Sequence, residues 1–350
     1  MESSIYAGLQ WLVSSPIQDA SGGVALDYRS PERERGAITT EATAWYVQGL
    51  LMLGEHDDQR VDRAGRAGRF LMESAFDMSS DLFLTRPVVD PDHKPKTAEF
   101  MSCVAAVRAL LALFRVTQDF AYMECADRCA RALLTRLPRV DGSFFPRYDV
   151  ELSAPFYELE PGVEQLKVSS ALLALAEHSC DRQFSAAADS IAQWAMRQQP
   201  LALELSDDPT ELQRWYALYL EGLLPFAAAD FVAGQALQSG IVRLESAYDN
   251  TPEGSRSPAV LARLLRLRLH ADRIGIVELD RKRAGEEAYC LAEAQVLSAD
   301  PELHGAFGML PADELDAIVD PETAVVSIQA LSMWQQSEDG GFSGTWQELI

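Results

Sequence analysis

Twelve windows in this chain carry apolar residues at i, i+3, i+4 and i+7, and a polar loop leads into each even-numbered one. They fall near 3–14, 38–53, 60–76, 97–115, 119–136, 162–178, 183–199, 209–227, 229–247, 257–272, 282–298 and 321–336. Each is longer than a strand normally runs, so each predicts an amphipathic helix. The even-numbered windows are the more apolar. Connections into them are mostly long, at 15–37, 78–96, 137–161 and 299–320, with shorter ones at 200–208 and 248–256, whereas those leaving them are mostly short. Loops of that length are uncommon in compact domains and are usually functional. On alternate connections they gather on one side, which predicts six helical hairpins in a ring with a cleft on one rim.

Local signals agree with the spacing. Pro209 and Pro321 each follow an Asp at the expected first turn, and Asp208 and Glu211 have capping-box spacing. Thr39 and Thr97 are positioned to cap the second and fourth helices. The loops share a glycine followed by small and aromatic residues, at Ser21-Gly22-Gly23-Val24, Asp141-Gly142-Ser143-Phe144-Phe145, His304-Gly305-Ala306-Phe307 and Asp339-Gly340-Gly341-Phe342. Glycine there supplies a tight turn before an extended segment, so short strands are expected on one rim.

Composition narrows the remaining classes. With 350 residues, 48% of them hydrophobic, the chain can bury a large core, and no low-complexity linker divides it, so one domain over 1–350 is expected. The β-branched runs of a layered α/β enzyme are missing. No apolar run approaches the roughly 20 residues of a membrane span, and no basic region followed by an apolar core opens the chain, so a cytoplasmic protein is expected. Five scattered cysteines do not make a disulfide framework; Cys125 and Cys129, four apart on one helix face, read as buried thiols. No metal or cofactor motif is present. A net charge of −23 argues against nucleic acid or an anionic membrane as partner. Arg263 and Arg266 share a face of the tenth helix and are expected to pair with acidic neighbours.

Six hairpins with long loops entering the inner helices resemble the (α/α)6 toroid of the six-hairpin glycosidase superfamily. The run from Gly22-Gly23-Val24 through Thr39-Thr40-Glu41-Ala42-Thr43-Ala44-Trp45-Tyr46 to Leu50-Leu51 is similar to the opening unit of toroids associated with bacterial glycan metabolism. The resemblance implies carbohydrate handling by a glycoside hydrolase, polysaccharide lyase or sugar epimerase, with an oligosaccharide or polysaccharide as substrate. A non-catalytic glycan-binding or assembly protein on the same toroid is an alternative. Trp11, Gln18 and Gly22, and Trp334, Gln336 and Gly340, bear a fainter similarity to the repeats of terpenoid cyclase and prenyltransferase toroids, whose Asp-rich motif is missing.

In such toroids the substrate lies at the N-terminal ends of the inner helices, where helix dipoles favour anionic or hydroxyl-rich ligands. Many acids fall there, and glycoside hydrolysis needs two carboxyl groups, one protonated and one ionised. The candidates are Glu41, Asp90, Asp149 and Glu158, although acids such as Glu41, Glu99, Glu164, Glu211 and Glu322 also suit a helix first turn without any chemistry. Asp90 and Asp92 with His93 could equally be a turn. The segment 141–161 interleaves Phe145, Tyr148 and Tyr157 with Arg147, a pattern suited to a sugar ring or to the loop's own apolar cluster. Trp45 and Tyr46 follow Glu41 on the second helix. Arg214 and Trp215 stand on the eighth, with Glu211, Trp215 and Tyr219 on one stripe. For a lyase or epimerase the set would be Arg147, Tyr148, Lys167 and Arg214.

Overall fold

The computed structural model describes residues 1–350 apart from 31, 54–56, 88–95, 180, 203–208, 310–316 and 350, and apart from the side chains of 199–202 and 209. Twelve α-helices are present among the described residues: α1 (Glu2–Ser14), α2 (Thr40–Met52), α3 (Asp58–Phe70), α4 (Phe100–Thr117), α5 (Phe120–Arg136), α6 (Val168–Ser179), α7 (Arg182–Ala202), α8 (Pro209–Ala227), α9 (Phe231–Asn250), α10 (Pro258–Arg273), α11 (Arg281–Glu293) and α12 (Pro321–Glu338). The even-numbered helices pack each on the next, α2 on α4, α4 on α6, and so on until α12 meets α2 again. The odd-numbered helices form an outer layer, and α1 completes it by packing on α12. This is an (α/α)6 toroid.

The inner helices are apolar on most of their circumference because they are covered by both inner neighbours and the outer layer. In α2, every residue from Ala42 to Leu51 is buried. Helix α4 is long and apolar enough to cross a membrane by composition, and two-thirds of it is buried as a member of the ring. The outer helices show one apolar stripe and one charged face, as in α5, where Tyr122, Cys125, Ala126, Cys129 and Leu133 point inward.

Helix starts follow the expected chemistry in part. Thr39 caps α2 by accepting from the Ala42 N–H at 3.1 Å, and Asp320 caps α12 ahead of Pro321 by accepting from Thr323 at 2.8 Å. The expected cap at Thr97 does not form. Thr97–Glu99 is instead a strand, and α4 begins after Glu99 with no side-chain cap. Asp208, of the expected capping box, lies outside the described residues. Helix α11 ends at Glu293, earlier than its periodicity suggested, because Gln295 leaves to pair with Phe307.

Short strands decorate the rim where the inner helices begin. β1 (Tyr28–Arg29) pairs with β2 (Glu34–Arg35), β3 (Phe76–Asp77) with β4 (Leu82–Phe83), and β5 (Thr97–Glu99) with β6 (Arg147–Asp149), which also pairs with β7 (Ala154–Pro155); β8 (Ile318–Val319) returns to β1. All pairs are antiparallel.

The glycine motifs make a recurring turn after outer helices. Gly22, Gly142 and Gly305 have φ of 96°, 94° and 91°, and bridges close the turns at Gln18–Val24, Pro138–Phe144 and Gln295–Phe307. Each glycine packs on the next outer helix: a Cβ on Gly305 would lie 2.2 Å from the Ala7 carbonyl oxygen in α1, and one on Gly22 would lie 2.5 Å from that of Arg66 in α3. A further turn of this kind, between Phe76 and Phe83, carries Asp81 at the left-handed position and docks on α5 through Arg128. The motif at 339–342 forms no strand; Gly340 simply ends α12.

Candidate functional site

Acidic residues ring the mouth of the toroid. Glu41 and Glu322 occupy first turns of α2 and α12, and Glu211 that of α8. Glu99 immediately precedes α4, and Glu164 lies in the 3-10 turn Val163–Lys167 that leads into α6. Only α10 departs, opening with Ser257 and Pro258. Each acid gains from the positive end of its helix. One turn deeper, Arg214 of α8 and Arg263 of α10 reach toward the axis.

Arg214 organises the mouth. Its Nε and Nη2 donate to the two oxygens of Glu322 at 3.1 and 2.5 Å, and Nη2 stands 3.6 Å from Glu41 Oε1. Both carboxylates reach one guanidinium nitrogen, so their oxygens there lie at most about 6 Å apart. Arg263, fully buried, donates to Glu322 Oε1 at 2.7 Å and to Glu221 Oε2 at 2.9 Å.

The two glutamates are shifted in opposite directions. Burial raises the pKa of Glu41, and the Glu322 charge adds to that, while Arg214 offsets only part. Burial also acts to raise Glu322, but Arg214 and Arg263 together outweigh it and hold the carboxyl ionised, below its usual range. Asp320 is pushed up to about 6 by burial and by the Glu322 charge. Burial likewise pushes Glu164 up to about 6. Carboxyl groups driven apart in this way can act as acid and charge stabiliser at one pH.

The mouth encloses a cleft of about 680 Å³ lined by α2, α8, α10 and α12 and by the loops before them. Trp45, one turn below Glu41, forms part of its wall, and the Arg263 guanidinium sits 5.4 Å from the centre of the indole ring. One buried polar atom on a lining residue, Asp320 Oδ2, lacks a hydrogen-bond partner, whereas the Trp45 indole N–H is turned to Glu41 and favours its ionised form. Among the described residues no histidine lines the cleft, and no group of three or more His, Cys, Asp or Glu is placed to hold a metal ion.

Below the mouth the axis is filled with charge. Glu221 of α8, wholly buried, accepts from Lys167 Nζ at 2.7 Å, from Arg263 and from Arg266. Burial opposes its ionisation, yet Arg266, Lys167 and Arg263 hold its pKa far below the usual range. Lys167 is lowered to about 7 by the same burial, against the pull of Glu221. Arg266 also donates to Gln329. At the same depth Arg108 donates to Gln48 at 3.3 Å, to Ser170 and to the Leu349 carbonyl, while Gln329 donates to that of Glu348 at 2.6 Å. Residues 345–349 therefore seat against four of the six inner helices. A polar, ion-paired axis is the opposite of the apolar bore an isoprenoid chain would need.

Of the residues singled out from the sequence, Glu41, Trp45 and Arg214 meet in this cleft. Trp215 covers Arg214 from outside the lining at 5.1 Å, and its indole N–H donates to Glu211 at 3.2 Å. Tyr46 does not reach the cleft; it is buried between α2 and α3, where Arg63 approaches its hydroxyl at 3.5 Å. Tyr148 is likewise core, held by Arg136 at 3.2 Å. Asp149 accepts from the Leu152 N–H at 2.9 Å and so closes the β6–β7 turn. Glu158 is exposed, and Tyr157 is exposed while packing edge-on against Phe145 at 5.2 Å. Arg147 pairs with Glu99 at 2.6 Å, and Glu99 lies close enough for its charge to act on Glu41. Asp90, with Asp92 and His93, lies outside the described residues. Sequence reasoning passed over Glu221 and Asp320. A lone Glu in the apolar run Leu218–Leu224 was the available signal for the first.

No family model matches the sequence, and no curated protein matches it either. Solved structures do match in shape. A cellobiose 2-epimerase from Spirochaeta thermophila superposes with a TM-score of 0.68 at 14% identity, covering 95% of each chain. An α-amylase from Clostridium perfringens gives 0.66 at 13% identity over 94% of this chain and 97% of the other. An unsaturated glucuronyl hydrolase specific for heparin gives 0.65 at 12% identity over 98% and 99%. At these identities the likeness speaks for architecture, and the architecture is the (α/α)6 toroid.

Proposed function

We propose that this chain is a carbohydrate-active enzyme that works in the cleft at the toroid mouth, with Glu41 as proton donor and Glu322 as the ionised partner. The observation that carries this reading is the pair of carboxylates on Arg214, one held toward the neutral form and the other held ionised. In glycoside hydrolysis Glu41 protonates the departing oxygen as the bond to the anomeric carbon breaks, the fixed charge of Glu322 stabilises positive charge developing on the sugar ring, and a water molecule then adds to that carbon and gives up its proton to Glu41. Their separation has an upper bound of about 6 Å, below the roughly 6.5–9.5 Å of inverting enzymes. Trp45 offers an aromatic wall to the apolar face of a sugar. The structures of like fold include an amylase, an epimerase and a glycan hydrolase, which agrees with a sugar in this cleft. Removal of a proton beside a carbonyl, as in epimerisation, fits less well without a histidine among the described lining residues.

The test is turnover of neutral, amino and uronic oligosaccharides, followed by the same assay on Glu41→Gln. A loss of about 100-fold or more in kcat with little change in KM supports Glu41 as the acid. Turnover unaffected by that substitution refutes it. A second reading, glycan binding without turnover, is favoured by one detail: both oxygens of Glu322 are engaged by arginines. Binding by the wild type with no product from any sugar would select it.

A further inference from the structure

We propose that the sugar taken by this cleft bears a free amino group, as a 2-amino-2-deoxyhexose does, and that Asp320 selects it. This rests on the carbohydrate reading above and names its substrate class.

The lining carries five acids, Asp27, Glu41, Glu211, Asp320 and Glu322, against one arginine. That arginine is already engaged by Glu322 and Glu41, and Asp27 faces Arg29 at 3.3 Å. No cation is within ion-pair distance of Asp320 among the described residues. Its exposure is only 6%; Oδ1 caps α12 by accepting from the Thr323 N–H, the Thr323 side chain also hydrogen-bonds the carboxylate, and Oδ2 is left without a partner. A buried carboxylate oxygen with no donor of its own and no cation in contact is unfavourable on both counts. An ammonium group supplies both at once. A hydroxyl supplies only the hydrogen bond, an acetamido group replaces the charge with bulk, and a uronate adds a second negative charge where no cation among the described lining residues is free to meet it.

The experiment is calorimetric titration of the full chain at pH 7 with four tetrasaccharides: β-1,4-glucosamine, its N-acetylated form, a neutral β-1,4-glucan and a glucuronate oligomer. The expected order places the amine tetramer at least tenfold tighter than the neutral and N-acetylated ones, with the uronate weakest. Asp320→Asn removes the advantage of the amine over the neutral tetramer. Asn is as good a helix cap as Asp, and Asp320→Ser serves as a second variant that also caps. A uronate that binds tightest, equal affinity for amine and neutral tetramers, or an amine preference that survives in both variants would overturn the proposal. Failure of all four to bind would instead sink the carbohydrate reading on which it rests.

Discussion

Replacing Glu221 by glutamine should be among the most destabilising single changes available in this chain. The carboxylate is wholly buried and receives three cations, Lys167 at 2.7 Å, Arg263 at 2.9 Å and Arg266. Each pair at about 4 Å between charge centres is worth roughly 4 kcal/mol gross at an effective dielectric of 20, so about 12 kcal/mol of attraction offsets the desolvation of the cluster. Glutamine keeps the shape but turns N–H groups toward those cations and leaves them unneutralised. Breaking a buried pair from one side costs about 3–5 kcal/mol net, and that is the expected loss in urea unfolding, with the slope unchanged. Lys167→Met provides the contrast. Two guanidiniums still hold Glu221, and the change relieves the burial that lowers Lys167 to about 7, so the loss should stay within about 1 kcal/mol. The pH dependence follows from the sign of the Glu221 shift. Its folded pKa lies below the ordinary 4.5, so its contribution is complete above pH 4.5 and fades only as pH falls toward the depressed folded value. An E221Q protein within 1 kcal/mol of wild type at pH 7, or a K167M protein as unstable as E221Q, would refute the reasoning.

Other expectations are more local. Arg214→Met should move the alkaline limb of kcat/KM upward, because Glu41 loses the cation that favours its ionised form; a limb that stays or falls contradicts the assignment. Asp320→Asn should be neutral or stabilising at pH 7 by thermal melting. The folded pKa of Asp320 is raised to about 6 from 3.8, so its ionised form opposes folding above that window, and the gain over wild type should shrink by pH 4. Gly305→Ala should cost about 3 kcal/mol, since its positive φ and the Ala7 carbonyl 2.2 Å away both penalise a Cβ, whereas Gly340→Ala, with open space around it, should cost about 1 kcal/mol. Thr39→Ala should lose about 1 kcal/mol with its cap to Ala42, measured by chemical denaturation.

The ring was legible because helix periodicity and loop length are local properties, and they repeat six times. Thr39 and Pro321 marked true starts; Thr97 did not, because pairing of Thr97–Glu99 with Arg147–Asp149 across some fifty residues took the segment into a sheet. Glu41 and Arg214 stood out from their own helices. What brings them together is a superposition of helix ends 170 residues apart, which no spacing encodes. The segment 141–161 suited a sugar platform or the loop's own apolar cluster by composition, and Phe145, Tyr148, Arg147 and Asp149 make their contacts with Tyr157, Arg136, Glu99 and the Leu152 amide. Arg263 and Arg266 suggested acidic partners on spacing alone; that one carboxylate, Glu221, serves both was written only in the packing of α8 against α10.

The seating of residues 345–349 has a kinetic meaning. With Leu349 held by Arg108 and Glu348 by Gln329, at a depth of about eight residues or 12 Å beneath the first helical turns, the ring is a cup with a floor. A polymer cannot thread through it and advance. On the proposed reading of glycan turnover, whatever is released must leave by the opening through which it arrived, so successive rounds on one strand require letting go, and short products should appear together with long ones from the first minutes of reaction.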